Sequence, residues 1–243
     1  LNRLHLHKMP TDEQVGLSPP LHLADDIVSG ETFHPSGGLK FDRSVTEGEP
    51  PLPHPAPPPP TTSDVFAKVK RIQIVACGTS LHAGRVAANW FSSIAELPCQ
   101  IDYASEYRYR NPHVDDDSLI ITISQSGETA DTLAALDYSK EKDYLASLAI
   151  CNVPTSTLAR ESDFVLFTNA GPEIGVASTK AFTTQLAALM LLALSLAKSR
   201  DLNPMLRGRI VNALRLLPET ISESLLQKDQ IAAIAPSIAS KDN

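Results

Sequence analysis

Cysteine is scarce in this sequence, and the few there are do not group. Cys77, Cys99 and Cys151 are an odd set, lack the short spacings that hold a metal, and each stands beside apolar residues in a strand-like run. A disulfide framework and a thiolate metal site are therefore excluded as organising features, and the three read as reduced thiols of a cytoplasmic protein. Basic residues are outnumbered too: 21 Lys and Arg face 28 Asp and Glu, for a formal charge of −7, and no cluster of Lys or Arg forms a face. The broad positive field that draws proteins to nucleic acid or to an anionic membrane is missing, so an anionic ligand has to be held locally. Long apolar runs are absent as well. The most apolar segment, Leu186–Ala197, falls short of the roughly twenty residues that cross a bilayer and is expected to be a buried helix. The opening LNRLHLHKMP has neither the apolar core nor the cleavage site of a signal peptide. No nucleic-acid, membrane, metal or cofactor partner is expected.

Glycine is sparse beside proline, eleven residues against nineteen, and the prolines crowd into the first sixty positions. Residues 1–62 mix His, Pro, Gly, Asp and Ser with single apolar residues and show no helical or strand period. They close on the run Pro50–Pro60, which favours an extended polyproline spacer. This segment is expected to be a disordered tail or linker, with a proline-rich ligand for a partner domain as the alternative. The core has to lie downstream.

From Asp64 onward a unit repeats in which a short apolar run ends in small or hydroxyl residues and passes into a helical pattern. The expected strands are Ile72–Cys77, Cys99–Tyr103, Leu119–Ser124, Ser147–Asn152 and Phe164–Thr168. The expected helices are Leu81–Ile94, Ser105–Tyr109, Thr129–Glu141, Thr155–Arg160 and Lys180–Lys198. Strands that read as continuous apolar runs are buried on both faces of a parallel sheet. The fold class is thus α/β, a three-layer α/β/α sandwich around a five-stranded parallel sheet spanning 64–202. Residues 203–243 follow as helices, expected at Pro204–Leu217 and Glu219–Ile234 with Pro218 between them, and carry an apolar stripe that needs a partner surface.

Ligands of such sheets bind where the strands end, so the chemistry is sought in the loops after each strand. After the third strand comes Ser124-Gln125-Ser126-Gly127-Glu128-Thr129, running straight into a helix. A helix start offers N–H groups without intrahelical partners and a partial positive charge, and four donor side chains within six residues exceed what a simple cap requires. The loop reads as a cradle for a phosphate ester that uses no Lys or Arg. It is neither a Walker loop nor a G-x-G-x-x-G fingerprint, which disfavours a nucleotide. The first strand ends in Cys77-Gly78-Thr79-Ser80, the equivalent location one strand away in the same sheet, so two loops could embrace one ligand. Cys77 reads as a small buried residue or as a nucleophile, and His82 as a surface or capping residue. In the loop after the fifth strand, Glu173 and Lys180 read either as an acid/base pair or as charges at a helix end. Asp115-Asp116-Asp117 reads as a solvated turn, because consecutive residues rarely converge on one ion. Glu106–Arg110 reads as a structural or subunit-contact helix.

The blocks CGTS (77–80), EYRYR (106–110), SQSGETADT (124–132), LAICNVP (148–154) and NAGPEIGVASTKAFTTQ (169–185), in this order and at this spacing, closely resemble the glutamine:fructose-6-phosphate amidotransferase family, in the first of its two sugar isomerase (SIS) domains. The resemblance runs from about Asp64 to the end of the sequence. It implies that Ser124, Gln125, Ser126 and Thr129 bind the phosphate of fructose 6-phosphate, and that Thr79, Ser80, Val176 and Ser178 line the sugar pocket. It further implies a role in making glucosamine 6-phosphate for amino-sugar biosynthesis, a homodimeric full-length protein, and residues 203–243 as a linker toward a second SIS domain. The family's glutaminase cysteine, and the glutamate, histidine and lysine of its second isomerase half, have no counterpart in this sequence. No catalytic residue is therefore expected here, and the chain alone is expected to be inactive. Two other readings are a stand-alone sugar-phosphate sensor, disfavoured by the lack of basic character, and another phosphosugar isomerase.

Overall fold

Mostly apolar runs make four of the strands and the more polar Cys99–Tyr103 the fifth, and each lies within one residue of its expected bounds. The computed structural model describes residues 62–174, 178–198, 200 and 202–239; residues 1–61, which carry nearly all of the Pro-rich expectation, and Val176 lie outside them. The elements follow in the order α1 (Thr62–Lys68), β1 (Arg71–Ala76), α2 (Gly78–Ile94), β2 (Cys99–Tyr103), α3 (Ala104–Tyr107), β3 (Ser118–Ser124), α4 (Ala130–Ser139), β4 (Ala146–Cys151), α5 (Thr157–Glu161), β5 (Phe164–Phe167), α6 (Lys180–Lys198), α7 (Pro204–Leu225) and α8 (Lys228–Ala239). The five strands form one parallel sheet in the order β2-β1-β3-β4-β5. β3 is buried along its whole length, whereas β2, at the edge, is only half-buried.

Alternation along the strands sorts the core into two layers. Ile72, Ile74 and Ala76 of β1 and Leu119, Ile121 and Ile123 of β3 point to one side, where they meet Phe91 of α2 and Leu189, Leu192 and Leu196 of α6. On the other side Val75 and Ile120 meet Tyr107 of α3 and Ala135 of α4, and Ala149 and Val165 meet Leu136 and Leu158. Each such Leu, Ile or Phe contributes about 1.5–3 kcal/mol by leaving water. The three layers expected from the sequence are present. Helix α2 lies so close to β1 that a Cβ at Gly84 would come within 2.9 Å of Ile74 Cγ2.

α6 is long and apolar enough to cross a membrane by length and composition, but half of its most apolar stretch is buried inside this fold. Its apolar character is that of a core helix, packed on α2 and the sheet. The helix α1 was not expected from the sequence. Its Val65 and Phe66 are buried, and Phe66 meets Phe164 of β5 edge to face at 6.3 Å.

The expected break at Pro218 is corrected. α7 continues through it to Leu225, and α8 likewise contains Pro236. A proline inside a helix removes one N–H and strains the preceding turn, but α7 has no buried residue, so water can take up the carbonyl left free. The helix starts firmly, with Asn203 Oδ1 accepting from Met205 N at 2.9 Å and Pro204 in the first turn.

Candidate functional site

The strand order reverses between β1 and β3. The chain leaves β1 toward β2 on one side and leaves β3 toward β4 on the other, so the loops beyond their carboxyl ends diverge and open a crevice. Ala76 and Ile123 are partners at this end of the sheet. The two loops singled out in the sequence therefore emerge side by side.

The turn after β3 is folded by its own hydroxyls. Buried Ser124 Oγ accepts from Gly127 N at 3.1 Å and is 2.9 Å from Thr129 Oγ1. Ser126 Oγ accepts from Glu128 N at 3.2 Å, and the carbonyl of Gln125 accepts from Asn152 N at 3.1 Å. Gly127 has φ +67°, and a Cβ there would lie 2.2 Å from Ser156 Oγ. Glycine is required twice over, by conformation and by the pressing of the turn against the start of α5. Thr129 occupies the N-cap position of α4, yet its side chain makes no capping bond. A cap would direct the hydroxyl to the second or third N–H of the helix. Here the hydroxyl faces Ser124, and the first-turn N–H groups of α4 keep the free donor character of a helix start.

The companion loop carries Cys77, half-buried, in the N-cap position of α2 without a side-chain cap, then exposed Thr79 and buried Ser80. Ser80 Oγ accepts from Gln185 Nε2 of α6 at 3.0 Å. His82 is exposed on α2.

After β5 the chain passes toward α6 under the control of two side chains. Asn152 Oδ1 accepts from Ala170 N at 2.7 Å and from Thr168 Oγ1 at 3.2 Å, while its Nδ2 donates to Gly171 O at 2.8 Å. Glu173 accepts from Thr179 N at 3.4 Å and Ala181 N at 3.2 Å. Of the two readings offered for Glu173, the geometry fits the helix-end role, since its carboxylate holds the N–H groups that open α6. Ser178, one of the expected pocket residues, has its Oγ buried with no hydrogen-bond partner among the described residues. Val176 lies outside the described residues.

No basic side chain belongs to the turn Ser124–Thr129 or to Cys77–Ser80. The acidic residue of the turn, Glu128, points its Oε1 to Thr157 N at 2.7 Å. That backbone hydrogen bond holds its carboxyl below the usual glutamate range. Burial pushes the Cys99 thiol up to about 12 and raises that of Cys151, so neither is a nucleophile near neutral pH. The acidic run elsewhere behaves as a surface turn: Asp115 pairs with Arg71, and Asp117 with Lys70 at 3.2 Å. In the EYRYR block, Tyr107 is buried with its hydroxyl 2.6 Å from that of Tyr144, and Arg110 pairs with Asp102.

The structure thus brings Ser124, Gln125, Ser126 and Thr129 into one turn and sets Thr79 and Ser80 at the end of the adjacent strand. Sequence reasoning missed Asn152, Ser156, Gln185 and the true engagement of Glu128. All four act across elements distant in the chain. Their one sequence signal is that polar residues interrupt apolar or helical runs beside strand ends, as Asn152 does after Ile150-Cys151.

Comparison with known proteins gives a consistent picture. The family model described as SIS domain matches residues 65–195. The chain is 55% identical over 183 residues to a glutamine--fructose-6-phosphate aminotransferase [isomerizing] of Pseudomonas syringae pv. tomato, covering 75% of this chain and 30% of that protein. It is 53% identical over 182 residues to the protein of the same name from Escherichia coli K12, with the same shares covered. Among solved structures it resembles the C-terminal domain of glucosamine-fructose-6-phosphate aminotransferase from Francisella tularensis, with a TM-score of 0.71 and 46% identity, covering 74% of this chain and 51% of that one. The chain spans about 30% of the length of the curated relatives it matches.

Proposed function

The chain belongs to the SIS domain family, and from that premise we propose that the turn Ser124–Thr129 holds the phosphate of fructose 6-phosphate, as the sugar-binding part of an aminotransferase that makes glucosamine 6-phosphate from fructose 6-phosphate and glutamine. The observation that carries the reading is the hydroxyl of Thr129. It occupies a cap position without capping and lies 2.9 Å from Ser124 Oγ, which leaves the N–H donors at the start of α4 for a ligand of this turn. A dianion there gains charge-assisted hydrogen bonds and the favourable end of the helix dipole. Thr79 and Ser80, with Val176 and Ser178, line the sugar beside it in this proposal. The names of the similar proteins, from two bacterial species at 55% and 53% identity, support the choice of sugar phosphate.

The described residues supply binding rather than proton transfer. The carboxylates within the loops after β3 and β5, Glu128 and Glu173, are both engaged with backbone N–H groups, and a general base needs a free, positioned acceptor. The same proposal places the protein in the cytoplasm, consistent with three free cysteines, and makes it a homodimer. It takes residues 203–243 as a helical linker to a second SIS domain, supported by the exposed apolar residues of α7 and α8.

Calorimetry on the 243-residue chain with fructose 6-phosphate tests the reading. Ser126→Ala should weaken binding about tenfold to a hundredfold, the effect of one hydrogen bond to a charged group. An unchanged Kd would remove this turn from the site.

A further inference from the structure

Gln185 is the one polar residue among those fully enclosed in α6, at 1% exposure. Leucines 189, 192 and 196 further along the same helix fill the apolar layer, so a leucine or methionine would serve packing at least as well. Burying an amide is costly unless its groups are bonded. Only one side is: Nε2 donates to Ser80 Oγ at 3.0 Å, while Oε1 is enclosed with no partner among the described residues. What the amide achieves is therefore to be sought at Ser80.

A hydroxyl oxygen that accepts a hydrogen bond turns its own proton elsewhere. Among the described residues Gln185 is the only side chain bonded to Ser80 Oγ, and Ser80 stands at the start of α2, beside the crevice between β1 and β3. We propose that Gln185 is a positioning residue, whose amide fixes the Ser80 hydroxyl as a donor directed at the bound hexose phosphate. The inference rests on the sugar-phosphate reading of the crevice and adds to it a contact made from α6.

The test is a double-mutant cycle read by calorimetry with fructose 6-phosphate on the 243-residue chain. Gln185→Met and Ser80→Ala should each weaken binding about tenfold, and the double variant should be no weaker than either, because the amide acts only through the hydroxyl. A merely structural role would instead lower affinity further in the Ser80→Ala background. Wild-type affinity in Gln185→Met, or effects that multiply, would overturn the proposal. If Gln185→Met does not fold, Gln185→Leu decides: it fills the site without a donor to Ser80, so affinity should fall, and retained affinity overturns the assignment. Failure of the unmodified chain to bind fructose 6-phosphate would overturn the sugar-phosphate reading itself, and this inference with it.

Discussion

Gly127 concentrates what the turn after β3 demands of a single residue. Its φ of +67° belongs to the left-handed region, and Ser156 leaves no room for a Cβ. Gly127→Ala should therefore cost about 1–3 kcal/mol of stability from backbone strain alone, visible as a Tm lowered by several degrees. It should also weaken sugar-phosphate binding, because relief of the clash moves the Ser124 and Ser126 hydroxyls. A variant with wild-type Tm would show that the turn is not held against α5. At this scale the sequence was informative about donors but silent about constraints. Four polar side chains in six residues pointed to this turn, since that count exceeds what a simple cap requires. That Ser156 forbids a side chain at Gly127, or that Asn152 ties the turn to the next loop, depends on contacts between residues tens of positions apart.

Helices and strands were legible in proportion to how local their cause is. β1, β3, β4 and β5 announce themselves because burial on both faces leaves mostly apolar runs, and α6 because it is the most apolar helical stretch of the chain. Pro218 misled because the rule that proline ends a helix presumes a cost the helix cannot bear, and α7, with no buried residue, bears it. Pro218→Ala restores an N–H that can bond to the carbonyl of Leu214 and should stabilise α7 by about 3 kcal/mol. Greater helical ellipticity and slower proteolysis between 204 and 225 are the expected result; no change in either would mean that α7 does not run continuously through this position. α1 escaped notice because seven residues are too few for a periodic pattern, and its place is set by Phe66 meeting Phe164 from the far end of the sheet.

For the molecule as a whole, the decisive feature is the strand order 2-1-3-4-5, which puts the two hydroxyl-bearing loops at one reversal point. The sequence supplied the loops, but their adjacency follows from β1 lying between β2 and β3. Elsewhere the molecule offers a groove of about 650 Å³ between α6 and α7, lined by residues such as Leu191, Leu194, Leu202 and Val211. Ser195, Lys198, Arg207 and Arg215 also line it, but it lies at the opposite end of α6 from the loop that follows β5, whereas the proposed sugar-phosphate site is the crevice at the carboxyl ends of β1 and β3. A residue-resolved NMR titration of the 243-residue chain with fructose 6-phosphate separates the two places directly. The account predicts that the largest amide shifts fall on residues 124–132, with smaller ones at Thr79 and Ser80, and it is contradicted if the shifts centre on the α6–α7 groove or leave 124–132 unmoved.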